Sequence, residues 1–210
     1  IISVYFISEM KQNTRMETDL DEYMPQDHPA FVYSDEAESW FNIKDGIVVA
    51  VENKSGIYNT ATLDTLKQLT KRLQKFEEID KDDVKSLYNA DNIVGSDGSL
   101  DVKRFYKRVP KAEEELQELR KSVRENEMVY GRFISTNEQV AVIIAEIGDD
   151  VFSQEFYNNI LKTVKQSEAD DITIHVAGRP IVEGEMALLA PADMKKMVPI
   201  VLIIIVIILF

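Results

Sequence analysis

Apolar positions along the chain follow two different periods, which predict short strands interspersed with amphipathic helices. The continuous apolar run at residues 47–51 is rich in β-branched side chains and predicts a strand buried on both faces. Asn59 or Thr60 is expected to cap the helix that follows, because short polar side chains accept hydrogen bonds from the free N–H groups of a first turn. The buried stripe of that helix is predicted at helical spacing: Leu63, Leu66, Leu69, Leu73 and Phe76.

The middle of the chain predicts a second strand, a helix and a hairpin. Residues 84–88 have the composition of a strand. Pro110 is expected to open the next helix, since proline suits the first helical turn. The apolar seam of this helix is short: Leu116, Leu119 and Val123. A hairpin is then predicted, with its strands at residues 128–134 and 140–147.

The last third predicts one more helix and one more strand. Ser153 is expected to start the helix, with these side chains inward: Phe156, Ile160, Leu161 and Val164. Apolar residues at 172, 174 and 176 alternate with polar ones, which is typical of a half-buried strand. The whole order predicts an α+β domain of ferredoxin-like (split βαβ) type with an inserted helix. Either 84–88 or 128–134 could be the paired inner strand.

Both ends of the chain are apolar and predict membrane segments. Residues 198–210 have the sequence VPIVLIIIVIILF. A helix of that length extends about 20 Å, short of the roughly 30 Å of bilayer hydrocarbon, so we interpret it as the truncated start of a transmembrane helix. Residues 1–8 are interpreted as the end of an upstream transmembrane helix, with a β-strand as the alternative. No basic residues precede them, which disfavours a signal peptide.

Composition and charge narrow the classes of function. The chain has 210 residues, with 24 Lys and Arg against 37 Asp and Glu, and a formal net charge of −13. This balance argues against nucleic-acid binding, which depends on cationic side chains at phosphates. The absence of Cys excludes disulfides, thiol catalysis and Cys-based metal sites. Much of the negative charge lies in residues 9–45, which we expect to form an acidic connector, and residues 181–197 are a second connector into the C-terminal helix.

Candidate chemistry is sparse. The sequence lacks phosphate-binding loops, HExxH zinc motifs and nucleophile elbows, so we predict no enzyme, no catalytic or metal-binding residue and no cofactor. His28 and His175 are expected at the surface, because neither has an evident orienting partner. Residues 53–55 match an N-glycosylation acceptor. Trp40 is expected to anchor a helix to the core, and Asp193 to place charge at the start of the C-terminal helix.

Several segments, in this order along the chain, resemble one family of membrane exporters. They are residues 18–27, 40–41, 45–52, 130–147, 177–180 and 191–196, the last running into the apolar end at 198–210. The chain is similar to the first extracytoplasmic loop of resistance-nodulation-division (RND) superfamily exporters, between transmembrane helices 1 and 2. Within that superfamily it resembles the MMPL-like, Patched-related branch.

The resemblance implies a domain organisation and a function. It implies the end of transmembrane helix 1 at residues 1–8, a ferredoxin-like porter domain at 46–180 and the start of helix 2 at 198–210. Such a domain would lie on the periplasmic or extracellular side of the cell membrane, in an exporter of lipids or other hydrophobic compounds driven by an ion gradient. The implied partners are the membrane, a lipid-like substrate and a second porter domain of the same chain, with a homo-oligomer as a further option and no nucleic acid. The alternative is a membrane-tethered sensor or adaptor that binds a partner without transport.

Overall fold

A computed structural model describes the chain at residue 25 and over four segments: 27–41, 45–96, 99–148 and 153–209. The expected end of a transmembrane helix at residues 1–8 lies outside the described residues, as does most of the acidic connector. The chain divides into two compact units, one comprising residues 43–182 and the other residues 1–42 with 183–210.

The described residues form five helices and six strands, which confirms the α+β prediction. In chain order they are α1 (Pro29–Phe41), β1 (Gly46–Glu52), α2 (Thr60–Leu73), β2 (Val84–Ser86), β3 (Asp91–Ser96), β4 (Ser99–Arg104), α3 (Glu113–Arg124), β5 (Val140–Glu146), α4 (Gln154–Lys165), β6 (Thr173–Ala177) and α5 (Arg179–Leu209).

The unit at residues 43–182 is built on a four-stranded antiparallel sheet in the order β2-β5-β1-β6. β1 is central, antiparallel to β5 on one side and to β6 on the other. β2 lies at the edge and pairs antiparallel with β5. β3 and β4 form a separate hairpin, which the hydrophobic pattern did not predict. Of the two segments considered for the paired inner strand, residues 84–86 form a strand beside β5 and residues 128–134 do not, but the position is an edge; the inner strands are β1 and β5, so the expectation of an inner strand was wrong for both segments.

Two amphipathic helices cover one face of this sheet. α2 contacts β2, β5 and α4, and α4 contacts β6. The four leucines of the predicted stripe of α2 are buried, whereas Phe76 lies beyond the end of the helix and is half-buried. Asn59 caps the helix by accepting a hydrogen bond from the Thr62 N–H at 2.8 Å. Ser153 caps α4 in the same way, accepting from the Phe156 N–H at 3.0 Å. Leu161 is exposed on α4, so its predicted inward position is wrong.

The first strand departs from its prediction. Ile47, Val49 and Val51 are fully buried under the helices, but Val48 between them is 39% exposed. β1 is therefore buried on one face only, because the helices cover a single side of the sheet.

The segment predicted as the first strand of a hairpin, residues 128–134, consists of turns. Backbone bonds from the Tyr130 N–H to the Asn126 carbonyl at 2.9 Å and from the Phe133 N–H to the Val129 carbonyl at 2.9 Å close these turns. One isolated bridge, between Ile134 and Ala141, connects the segment to β5, where the Val142 N–H donates to the Phe133 carbonyl at 2.8 Å. The strand prediction was wrong here because burial of apolar side chains in a tight turn produces the same composition.

The start of α3 also differs from its prediction. The helix begins at Glu113, and Pro110 lies in the loop before it. There the Pro110 carbonyl accepts a hydrogen bond from the Thr60 hydroxyl at 2.9 Å, which holds the loop against the start of α2. The predicted apolar seam of α3 is confirmed, since Leu116, Leu119 and Val123 are buried.

The terminal helices contradict two further expectations. Trp40 is 74% exposed on α1, so it does not anchor that helix to a core. α5 is continuous from Arg179 and includes residues 181–197, so Asp193 lies in mid-helix and not at a helix start. Among the described residues, no helix combines the length and the apolar character that a membrane span requires.

Candidate functional site

The outer face of the sheet, opposite α2 and α4, carries an apolar stripe. We define this stripe by Val48 and Ala50 of β1 with Val142 and Ile144 of β5. The register places Val48 opposite Ile144 and Ala50 opposite Val142. Val48 is exposed and the other three are half-buried, whereas the residues that alternate with them are buried under the helices. Exposed apolar side chains grouped in this way are typical of a surface that contacts an apolar ligand or a partner.

Polar side chains border the apolar stripe on both sides. On the β6 side, His175 lies opposite Ala50, and its Nε2 is 3.0 Å from Oε2 of Glu52. On the β2 side, Lys85 lies opposite Ile144 and is exposed. The surface position predicted for His175 is confirmed. The outer face therefore has an apolar centre with a hydrogen-bonding rim.

The other residues that the sequence analysis identified lie away from this face. His28 is exposed, as predicted, and its Nδ1 accepts a hydrogen bond from the Ala30 N–H at 3.2 Å. Asn53, the possible glycosylation acceptor, is 5% exposed. Its Oδ1 accepts from the Ser55 N–H at 2.9 Å and its Nδ2 donates to the Thr62 hydroxyl at 2.9 Å. The bond to Thr62 occupies the nitrogen that a glycan would need, so Asn53 is a structural residue.

Replacing Asn53 by Ala is expected to lower the free energy of unfolding by about 1.5 kcal/mol, because one buried and one half-buried hydrogen bond are lost and the Thr62 hydroxyl loses a partner. Urea unfolding followed by circular dichroism measures this change. Asn137→Ala is the matched control, since Asn137 is exposed on a turn. An equal effect at the two positions would contradict a structural role for Asn53.

A buried ion cluster connects α3 to the turn before β5. Glu138 is 6% exposed, and its Oε2 accepts hydrogen bonds from Nε and Nη2 of Arg120 at 2.8 and 2.5 Å. Its Oε1 accepts from Nε of Arg124 at 2.5 Å. Burial alone would raise the pKa of Glu138, but the hydrogen bonds and charges of the two guanidinium groups outweigh it, so the pKa of this carboxyl lies below its ordinary value.

The ring of Tyr58 completes this cluster. The guanidinium carbon of Arg120 lies 5.9 Å from the ring centroid, a cation–π distance. Burial and the negative charge of Glu138 together raise the pKa of Tyr58. The sequence analysis missed the cluster, although two arginines spaced four apart on α3 offered a signal, because they lie on one face of a helix. The cluster connects the turn before β5 to α3 and does not contact the outer face of the sheet.

Comparison with known proteins identifies the family. The model of the MMPL family matches residues 23–210, which includes the four-stranded sheet, its two covering helices and α5. No curated protein shows significant similarity to the chain. The match covers most of the sequence and agrees with the family that the sequence motifs resemble. The chain therefore belongs to the MMPL family.

Proposed function

We propose that this chain is the extracytoplasmic porter domain of an ion-gradient-driven exporter of lipids or other hydrophobic compounds. The observation that carries the proposal is the match of the MMPL family over residues 23–210, since membership of this family implies a membrane transporter. In this proposal the apolar residues at 198–210 belong to the membrane part of the exporter, and residues 43–182 extend from it.

We further propose that the sheet has the ferredoxin-like arrangement of RND porter domains. The strand order supports this. β1 and β2 are both antiparallel to β5, so they run parallel to each other with β5 between them and α2 connecting them. β5 and β6 are related in the same way across β1, with α4 as their connection. Two interleaved strand–helix–strand units define the split βαβ arrangement.

The outer face is the surface that we assign to the substrate path. A second porter domain opposite the apolar stripe would form a cleft with apolar walls, and a hydrophobic compound could enter it without losing contact with apolar surface. Relative movement of two such domains would then release the compound outward, with no covalent step. The polar rim of His175 and Glu52 would contact a polar headgroup or water at the edge of the cleft.

Charge introduced into the apolar stripe is expected to reduce export. In the full-length exporter that contains this chain, Val48→Asp should lower transport of a fluorescent lipid analogue at least about tenfold, because an apolar compound cannot compensate an ionised carboxylate. Export from proteoliposomes under an imposed proton or sodium gradient measures the effect. The matched control is Thr173→Asp, which adds the same charge to an already polar, exposed position of β6.

Two outcomes would contradict the proposal at different levels. Full transport by a folded Val48→Asp variant would exclude the outer face from the substrate path. If an imposed gradient changed the transport of none of the lipid-like substrates by the wild-type protein, the exporter function itself would be excluded.

A further inference from the structure

The exposed side of α2 carries a row of lysines that is unusual in so acidic a chain. We define the basic strip by Lys67 and Lys71 of α2 and by Lys75 and Lys81 in the turns that follow the helix. Residues four apart lie on one face of a helix, so Lys67 and Lys71 share a face of α2, and Lys75 lies in the turn directly after it. Lys71, Lys75 and Lys81 are exposed, and Lys67 is half-buried.

The ammonium groups of the basic strip lack carboxylate partners within the part of the chain that the structure describes. Nζ of Lys67 and Nζ of Lys71 lie 5.5 and 5.8 Å from the centroid of the Tyr88 ring. Nζ of Lys67 also donates to the Lys107 carbonyl at 3.4 Å. Two like charges share one aromatic ring, and their mutual repulsion would be relieved by an anion bound between them.

A groove continues the basic strip from α2 to the loop after it. It has a volume of about 470 Å³ and is lined by Gln68, Lys71, Arg72, Gln74, Lys75, Lys81 and Asp82. Nε2 of Gln74 donates to the Lys81 carbonyl at 3.0 Å and so holds the loop beside the helix. Four cationic side chains and one carboxylate therefore line a groove that is open to solvent.

We propose that the basic strip is a docking surface for an extended acidic segment of a partner polypeptide. The spacing supports this occupant. Lysines four apart on a helix are separated by about 6 Å along its axis. In an extended chain, side chains two residues apart are on the same side and about 7 Å apart. A segment with Asp or Glu at alternate positions would thus place one carboxylate near Lys67 and one near Lys71, with the next over the groove that Lys75 and Lys81 line.

The composition of the strip favours a polypeptide over a membrane surface. Peripheral helices that bind membranes insert apolar or aromatic side chains beside their basic residues. Between residues 60 and 85, all of which the structure describes, no large apolar side chain is exposed. Apart from the carboxylate of Asp82, the groove of the strip offers cationic and amide groups, and these match carboxylates. It lies on the helix-covered side of the domain, so the partner would not compete with contacts at the outer face.

Peptide binding by the full chain tests this inference without any transport measurement. The chain is held in a neutral detergent, and the probe is a fluorescent synthetic peptide in which Asp alternates with Ser. Fluorescence anisotropy measures the dissociation constant. Lys71→Gln/Lys75→Gln is expected to weaken binding about tenfold, since each exposed ion pair contributes modestly. Lys162→Gln/Lys165→Gln in the last turn of α4 is the control, because it removes the same charge from another exposed helix end.

The outcomes distinguish peptide binding at the basic strip from non-specific electrostatic binding and from lipid binding. Binding that the strip variant weakens and the α4 variant leaves unchanged supports the proposal, as does loss of binding when Asn replaces Asp in the peptide. Absence of peptide binding, or equal weakening by both variants, would overturn it. Strip-dependent binding of a water-soluble short-chain phosphatidylglycerol in place of the peptide would also overturn it, in favour of a membrane surface.

Discussion

Gly178→Ala is expected to lower the free energy of unfolding of the unit at residues 43–182 by about 3 kcal/mol. Gly178 lies between β6 and α5 and has a φ of 138°, a conformation that residues with a side chain rarely adopt. A Cβ at this position would overlap with the Gly46 carbonyl oxygen and lie 3.1 Å from Cα of Ile47. Both are backbone atoms of the central strand, so no change of rotamer could relieve the overlap.

The matched control for this prediction is Gly131→Ala. Gly131 also has a positive φ, of 80°, but a Cβ there would approach only Cγ2 of Thr136, at 3.9 Å. Gly131→Ala should therefore lower the free energy of unfolding by about 1 kcal/mol, through backbone conformation alone. Urea unfolding followed by far-ultraviolet circular dichroism compares the two variants with wild type. Equal losses at the two positions would show that the close approach of Gly178 to β1 does not limit stability.

This close approach also has a structural consequence for the connection to α5. The Gly178 carbonyl accepts hydrogen bonds from the N–H groups of Ile181 and Val182, at 3.1 and 3.2 Å, at the start of that helix. The same residue thus contacts the central strand and begins the helix that carries the apolar C-terminal residues. A glycine is required there because the chain turns from a strand into a helix directly against another backbone.

Hydrophobic periodicity predicted the elements whose side chains enter the core. The sequence predicted the buried stripes of α2 and α3 and the alternation of β6, since burial on one face imposes a regular spacing. It also predicted the caps of α2 and α4, from their short polar side chains. The β3–β4 hairpin was not recoverable. Its opposed pair Ile93 and Val102 is exposed, so no buried face imposes a pattern on it.

The outer face shows a second limit of sequence patterns. Residues 47–51 are apolar without interruption, which predicts burial on both sides of the strand, yet Val48 is exposed. The apolar side chain is retained at a position where the described fold provides no helix to cover it. We take this difference as support for the proposed contact of the outer face with a substrate or a second domain, since a purely solvated face would alternate with polar residues.

The spacing of the two arginines was a signal for the ion cluster, but their partner could not be predicted because Glu138 reaches them only through the fold. Glu138 has a φ of 59°, so the turn it occupies is specified by backbone conformation and not by a hydrophobic pattern. Arg120 and Arg124 lie near the C-terminus of α3, where the helix dipole favours positive charges, and this position alone explains them. Local helix rules describe the arginines correctly and give no indication of their partner.

Glu138→Gln is expected to lower the free energy of unfolding by about 2 kcal/mol at neutral pH, because charge-assisted hydrogen bonds from two arginines are lost. Gln keeps the size of the side chain and the same backbone preference, so the change isolates the charge. The matched control is Glu125→Gln. Glu125 is exposed and its Oε1 lies 3.9 Å from Nζ of Lys121, so its loss should change stability by no more than about 0.5 kcal/mol.

The pH dependence of this difference tests its electrostatic origin. Since the pKa of Glu138 is lowered in the folded state, the carboxylate stabilises the fold fully above the ordinary glutamate pKa, and this stabilisation is lost as the pH falls through the folded-state pKa. The gap in unfolding free energy between wild type and Glu138→Gln should therefore be constant around neutral pH and narrow in acid. Urea unfolding at a series of pH values measures it. A gap that stays constant into acid would mean that Glu138 acts through its shape and not through its charge.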